Sequence, residues 1–386
     1  MANTKITNPE LFNLGDSTSA TQLPVMTTTE RIAMTGLSVG EMIFNSTTDK
    51  VEYWDGTKWY GITNEVAAET PYNNVLYTGN GGTNDISSVG FQPDLVWVKN
   101  RSTGDPAIFS SLMSNNKTLF TNSASAQATL TGGSLSMDTN GFDINTYGAT
   151  FLNANLQSYV AWCFKAGGAA VSNTDGTLAS QVSANAVGGF SIVKWSGNNT
   201  TGGTIGHGLS STPELTIIKK TSGAAADWQV SLNASVTGVE GYMNFNKTAG
   251  LYTTYPLYYT SSNSTVLSSN GTSTATRLYN NQSENYIAYC FHSVPGYSKV
   301  GSYTGTGAGT TITTGFQPAF VMIKKTSGSA DWIIFNDKTG SNILKPNTNA
   351  SEVSLTNYIT YNSTGFTFPT GDSNINTGDF IFMSFA

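Results

Sequence analysis

The sequence predicts an all-β protein: a small N-terminal β-hairpin module with one short helix, followed by three tandem β-sandwich repeats of jelly-roll or lectin-like type. Three observations carry this prediction. Charged residues and aromatic residues each make up 11% of the 386-residue chain, and the missing charge is replaced by Gly, Ser, Thr and Asn. Disorder requires the opposite balance, many charges and few aromatics, whereas Thr, Tyr, Phe, Trp and Val suit pleated surfaces and Gly, Asn and Ser suit turns. The strongest apolar segments alternate with a period of two, as strands do. Finally, one set of landmarks recurs three times in the same order, the mark of a repeat architecture.

Taken from the start, residues 1–66 differ from the rest and form a separate module. Thr27 and Glu30 have the spacing of a capping box and precede Arg31 to Met34, so one short helix is expected there, ended by Gly36. Met42–Phe44, Lys50–Trp54 and Lys58–Ile62 read as three strands, joined by turns at Ser46–Asp49 and at Asp55-Gly56. So short a module cannot bury Phe44, Tyr53, Trp54, Trp59 and Tyr60 by itself. These five are candidate packing residues against a neighbour, and the commonest neighbour is another copy of the chain.

The repeats span 72–166, 188–293 and 296–386, with 167–187 read as a linker. Each opens on an aromatic and a small turn: Tyr77-Thr78-Gly79, Trp195-Ser196-Gly197, Tyr303-Thr304-Gly305. Each then has a proline leading an apolar run to a lysine six residues on, from Pro93 to Lys99, Pro213 to Lys219 and Pro318 to Lys324. A fourth landmark follows at Ala107, Asp227 and Asp331, and the copies close on YVAWCF from Tyr159, YIAYCF from Tyr286 and FIFMSF from Phe380. Alternation puts Val160, Trp162 and Phe164 on one face of the closing strand, matched by Ile287, Tyr289 and Phe291 and by Ile381, Met383 and Phe385. The other face carries small residues, Cys163, Cys290 and Ser384 among them, so a second layer packs closely there. Runs apolar on both parities, such as LVWV from Leu95, imply strands covered on both sides.

No residue set reads as catalytic, and no cofactor or metal is expected. The Gly-rich strings at Thr78 and Tyr303 lead into β-type residues rather than a helix, so they read as hairpin turns and not phosphate loops. GGTND from Gly81 matches one unit of a calcium repeat but is not tandem. Asp94 and Glu214 are equivalent, the third copy has Ala319, and a solvent-facing turn role fits them better than glycoside cleavage. His207 and His292 lie in no nucleophile pattern. Cys163 and Cys290 read as small core residues, in different domains and unbridged. Lys99, Lys219-Lys220 and Lys324-Lys325 read as strand ends snorkelling to solvent. Trp228 and Trp332 read as core, leaving Trp195 as the candidate surface-ligand contact. A net charge of −6 with pI near 4.9 excludes an electrostatic nucleic-acid surface. No stretch approaches the ~20 apolar residues of a membrane helix, and the start has no export signal.

The segment TTTERIAMTGLSVGEMIFNSTTDKVEYWDGTKW from Thr27 resembles one common in phage tail fibres and other virion appendages. The downstream GFQPDLVWVKNRS and YVAWCFKAGG look like an uncharacterised domain repeated in large structural proteins of marine phages. Copy two departs by lacking Gly-Phe-Gln before its proline. The resemblance implies a homotrimeric tail-fibre or adhesin protein of the virion, non-enzymatic, held to tail or adaptor proteins through residues 1–66. Its repeats, an extended scaffold, would present varying loops for multivalent contact with host-surface polysaccharide or protein. A head-decorating or tail-scaffold protein binding only other virion proteins is the alternative, and a polysaccharide depolymerase a lesser one.

Overall fold

A computed structural model describes residues 23–47, 50–62, 71–146, 151–200, 202–253, 262–268, 280–369 and 371–386. The chain forms two compact units, Met1–Glu69 and Thr70–Ala386.

In the first unit the capping box forms as the spacing requires. The Thr27 side chain accepts from Glu30 N, and Glu30 Oε2 accepts from Thr27 N at 2.8 Å, starting α1 (Thr28–Ile32). A four-stranded sheet follows the order β1 (Val25–Met26), β2 (Met42–Asn45), β3 (Lys50–Trp54), β4 (Trp59–Ile62). Asp55 Oδ1 accepts from the amides of Thr57 and Lys58, both at 2.7 Å, which closes the β3–β4 turn. Thr48 and Asp49, half of the other expected turn, lie outside the described residues.

The second unit is β throughout except for one helical turn, Ala234–Thr237, among the described residues. Each repeat is a two-sheet sandwich. In the first, the large sheet runs in the order 128–129, 117–120, 107–110, 95–100, 158–164, 72–78, and the small one in the order 133–138, 141–146, 83–86. The closing strand sits between the opening strand and the Pro-to-Lys strand in every copy: Ser158–Phe164, Asn285–Phe291 and Thr377–Phe385. Residues 167–187 are not a linker. Val171–Asn173 and Ser180–Asn185 are strands that pair beside Phe190–Ser196 and widen the second copy's large sheet to seven strands. The glycine strings at Thr78 and Tyr303 are not hairpins either, because the chain crosses there from the large sheet to the small one (Thr83–Ile86, Thr310–Thr313).

The period-two reading of the closing strand identifies two cores rather than one. Val160, Trp162 and Phe164 pack away from Tyr159, Ala161 and Cys163, and both sets are buried. The small-residue side faces the repeat's own small sheet and forms a private core in each copy. The bulky side faces the other two repeats, and one continuous core takes Trp162, Tyr289 and Met383 from the three copies together. At one end of this core the equivalent residues Phe164, Phe291 and Phe385 form a closed triangle, with ring centroids 6.0, 6.0 and 5.2 Å apart. The repeats, each with its private core, are therefore arranged as a pseudo-threefold around that triangle and a shared core, not strung out as an extended scaffold. The physical reason is simple: each large sheet has two apolar faces, and its small sheet covers only one.

Candidate functional site

The threefold arrangement is sealed by the same contact three times. Lys219 Nζ donates to Ala124 O of the first repeat at 2.8 Å and to Ala226 O at 2.5 Å. Lys324 Nζ reaches Thr248 O of the second repeat at 3.0 Å, and Lys99 Nζ reaches Thr348 O of the third at 3.1 Å. Backbone bonds run alongside: Ala226 N to Ala124 O, Ala330 N to Thr248 O and Gly104 N to Asn349 O. The ring closes first on third, third on second, second on first. These lysines are wholly buried, not snorkelling, and burial lowers all three to about 8. Ammonium ions persist there because loop carbonyls of a neighbouring repeat accept hydrogen bonds from them. Trp228 and Trp332 reinforce two seams by donating Nε1–H to Phe120 O at 3.0 Å and Asn244 O at 3.2 Å.

Strand register gives the unit two unlike ends. Tyr72, where the first opening strand starts, stacks on Phe385, where the last closing strand ends, at 5.3 Å; both chain ends of this unit thus lie at the triangle. The opposite end carries the turns that follow the three opening strands. These turns are held by a device shared among copies. Asn153 and Asn280 are buried and bond to equivalent turn atoms: Asn153 Oδ1 accepts from Asn80 N and Asn280 Oδ1 from Asn198 N, each at 3.0 Å. Their amide groups donate to Gly82 O at 2.6 Å and Thr200 O at 2.9 Å, and Asn376 donates to Ala308 O in the third copy. The turn glycines recur because nothing else fits. A Cβ would lie 2.2 Å from Ala154 O at Gly79, 2.1 Å from Asn281 O at Gly197 and 2.3 Å from Asn376 C at Gly305.

Trp195, the candidate surface-ligand contact, is part of this device. It is 3% exposed and stacks on Tyr286 at 5.4 Å, just as Tyr77 stacks on Tyr159 and Tyr303 on Phe380, both at 5.0 Å. Beyond these supports some of the displayed residues differ between copies. Leu156 stands 79% exposed with φ +62° where the second copy has Ser283 at φ +65°.

The remaining polar candidates are in structural roles. Asp94 is buried and accepts from Ala166 N at 2.8 Å and Gly168 N at 3.1 Å, and Glu214 Oε2 accepts from Ser293 N at 2.6 Å. Both carboxylates tie down the segment leaving the closing strand instead of facing solvent in a turn. Leu209 N donates to His207 Nδ1 at 3.1 Å, which leaves Nε2–H to donate to Asn263 O at 3.0 Å; burial holds this imidazole below its usual range. Cys163 and Cys290 are free and buried in separate private cores. Burial raises both thiols, Cys290 to about 12. Asp85, Asp138 and Asp143 approach one another on the first small sheet. There desolvation, then Asp138 and Asp85, raise Asp143. Among the described residues no helix is long and apolar enough to cross a membrane.

The N-terminal aromatics predicted to pack on a neighbour divide between the faces of their sheet. Cross-strand register pairs Tyr53 with Tyr60 and Trp54 with Trp59, at 5.6 and 5.7 Å. Because adjacent residues alternate, Tyr53 and Tyr60 share the face of Phe44 while both tryptophans lie on the other. Arg31 of α1 lies on the tryptophan side, 2.5 Å from Glu52.

Residues 3–79 match a phage tail like trimerisation region. Residues 69–386 match a domain of unknown function, DUF7483, as one span covering all three repeats. No curated protein and no solved structure matches the chain. With more than half of its length in that match, the chain belongs to the DUF7483 family, carried here behind a phage-tail-like trimerisation region.

Proposed function

We propose that this is a homotrimeric structural protein of a phage tail, held to tail or adaptor proteins through its N-terminal unit and contacting the host cell surface with the far-end loops of its pseudo-threefold unit. The observation that carries the reading is the match of residues 3–79 to a phage tail like trimerisation region. The loop arrangement supports the rest. Supports such as Asn153, Asn280, Gly79 and Gly197 recur, while some of the residues they display differ, as expected where displayed loops are free to change. Action is by binding rather than catalysis. Three chains with weak sites raise avidity by ~10²–10⁴ without a strong single site, and both histidines and the paired acids already have structural partners.

The test is decoration of host cells by labelled purified protein, with binding inhibited by excess unlabelled protein. A host envelope polysaccharide incubated with the protein should show no new reducing ends. Failure to decorate any host of the phage, combined with incorporation into virions, would leave only a scaffold role among virion proteins.

A further inference from the structure

The N-terminal sheet has one face whose centre α1 covers, with Trp54 and Trp59 half-buried on it, and one that its described residues leave open. On the covered face Ile43, Asn45 and Glu52 are buried. Asn45 Nδ2 donates to Glu52 Oε1 at 3.0 Å, Arg31 of α1 pairs with Glu52 at 2.5 Å, and Thr28 Oγ1 bonds to Asn45. Register puts Met42, Phe44, Val51, Tyr53 and Tyr60 on the opposite face, with Val25 beside Phe44. Val25, Tyr53 and Tyr60 are 56%, 38% and 39% exposed. No carboxylate lies in this set. One cation reaches its rim, Lys58, whose Nζ sits 4.9 Å from the Tyr60 ring centroid. An apolar, aromatic centre with charge at the edge is the composition of a protein interface.

We propose that this face is the trimer interface: three copies lay Val25, Met42, Phe44, Val51, Tyr53 and Tyr60 against one another around a common axis, and α1 with the Arg31–Glu52 pair stays outside. The occupant is a second and third copy of the chain because the face lies within the span matched to a trimerisation region. The inference rests on the trimeric reading and adds to it which side of the sheet is used. It separates residues that look alike in sequence: Tyr53 and Tyr60 are interfacial, Trp54 and Trp59 are not.

The full chain would be examined by sedimentation velocity at micromolar concentration. Wild type is expected as a trimer, and Val51→Glu as a monomer whose melting above the N-terminal unit is unchanged. Lys50→Glu, on the opposite face, should remain a trimer. To separate loss of the interface from unfolding of the small unit in Val51→Glu, Tyr53→Cys is treated with a short bis-maleimide. Both native cysteines are buried, so covalent dimers between chains at position 53 are expected. A wild-type trimer that survives Val51→Glu and gives no cross-link at Tyr53→Cys would overturn the assignment of the face, leaving residues 1–22 of the same chain as its cover. A monomeric wild type would overturn the trimeric reading itself.

Discussion

Truncating Phe385 to alanine should destabilise all three repeats together. The ring is 2% exposed and lies 5.2 Å from Phe164, 5.3 Å from Tyr72, 5.7 Å from Tyr297 and 6.0 Å from both Phe291 and Phe320. Removing a buried phenylalanine from a well-packed core costs about 3–5 kcal/mol. Residues 70–386 would unfold with an entropy of about 0.7 kcal/mol/K, at about 2.1 cal/mol/K per residue near 60 °C. The melting temperature should therefore fall by roughly 5–7 °C. Calorimetry distinguishes the outcomes. A shared core gives one transition that moves as a whole, with calorimetric and van't Hoff enthalpies close to equal. If the thermogram instead splits and only part of the heat moves, with the rest staying at the wild-type temperature, the repeats are separate domains and the common core carries no cooperativity.

Three further outcomes are expected. Stability should rise with pH between about 8 and 10.5. Below 8 Lys99, Lys219 and Lys324 are protonated whether folded or not; above it the folded form releases protons that the unfolded chain keeps until its ordinary value of 10.5. The gain is at most about 3 kcal/mol per lysine, less what the carbonyl contacts contribute to the ammonium form; urea midpoints at pH 7.5 and 9.5 measure it, and Lys219→Met should remove about a third of the rise, one lysine of three. Gly79→Ala should destabilise by several kcal/mol, on the order of the larger single-mutant effects, since its Cβ meets backbone at 2.2 Å. Gly309→Ala, with nothing within 4 Å, should be neutral. Asn280→Ala should cost about 2–3 kcal/mol by leaving turn groups unpaired, read as a loss in thermal stability without loss of the trimer.

The elements were largely legible because strand position is a local property. The capping box at Thr27 and Glu30 and the strands around Tyr53 and Trp59 follow from spacing alone, as does the two-faced closing strand. What covers each face is not local. Val160, Trp162 and Phe164 have the same pattern whether a repeat's own sheet or its neighbours lie against them, so the common core could not be read from alternation. The lysines show the same limit. A lysine ending an apolar strand looks like one reaching water, and the shorter of the two hydrogen bonds from Lys99 goes to Thr348 O in the third repeat. Trp195 looked different from Tyr77 and Tyr303 only in residue type, and its register shows it to be their equivalent. One signal was present and unused: Asn153 and Asn280 each precede the closing-strand tyrosine by six residues. Residues 167–187 have the small polar composition of a linker, yet the edge of Phe190–Ser196 offers them a strand to pair with.

The triangle of Phe164, Phe291 and Phe385 also bears on how such a protein can change. In a symmetric trimer of identical subunits every substitution appears three times at once, so a change that suits one site is imposed on the other two. Here the three positions around the axis are encoded separately on one polypeptide and stay together at any dilution. Each rim loop can diversify alone while the aromatic centre stays under joint constraint, and a single chain can present three unlike surfaces on one rigid support.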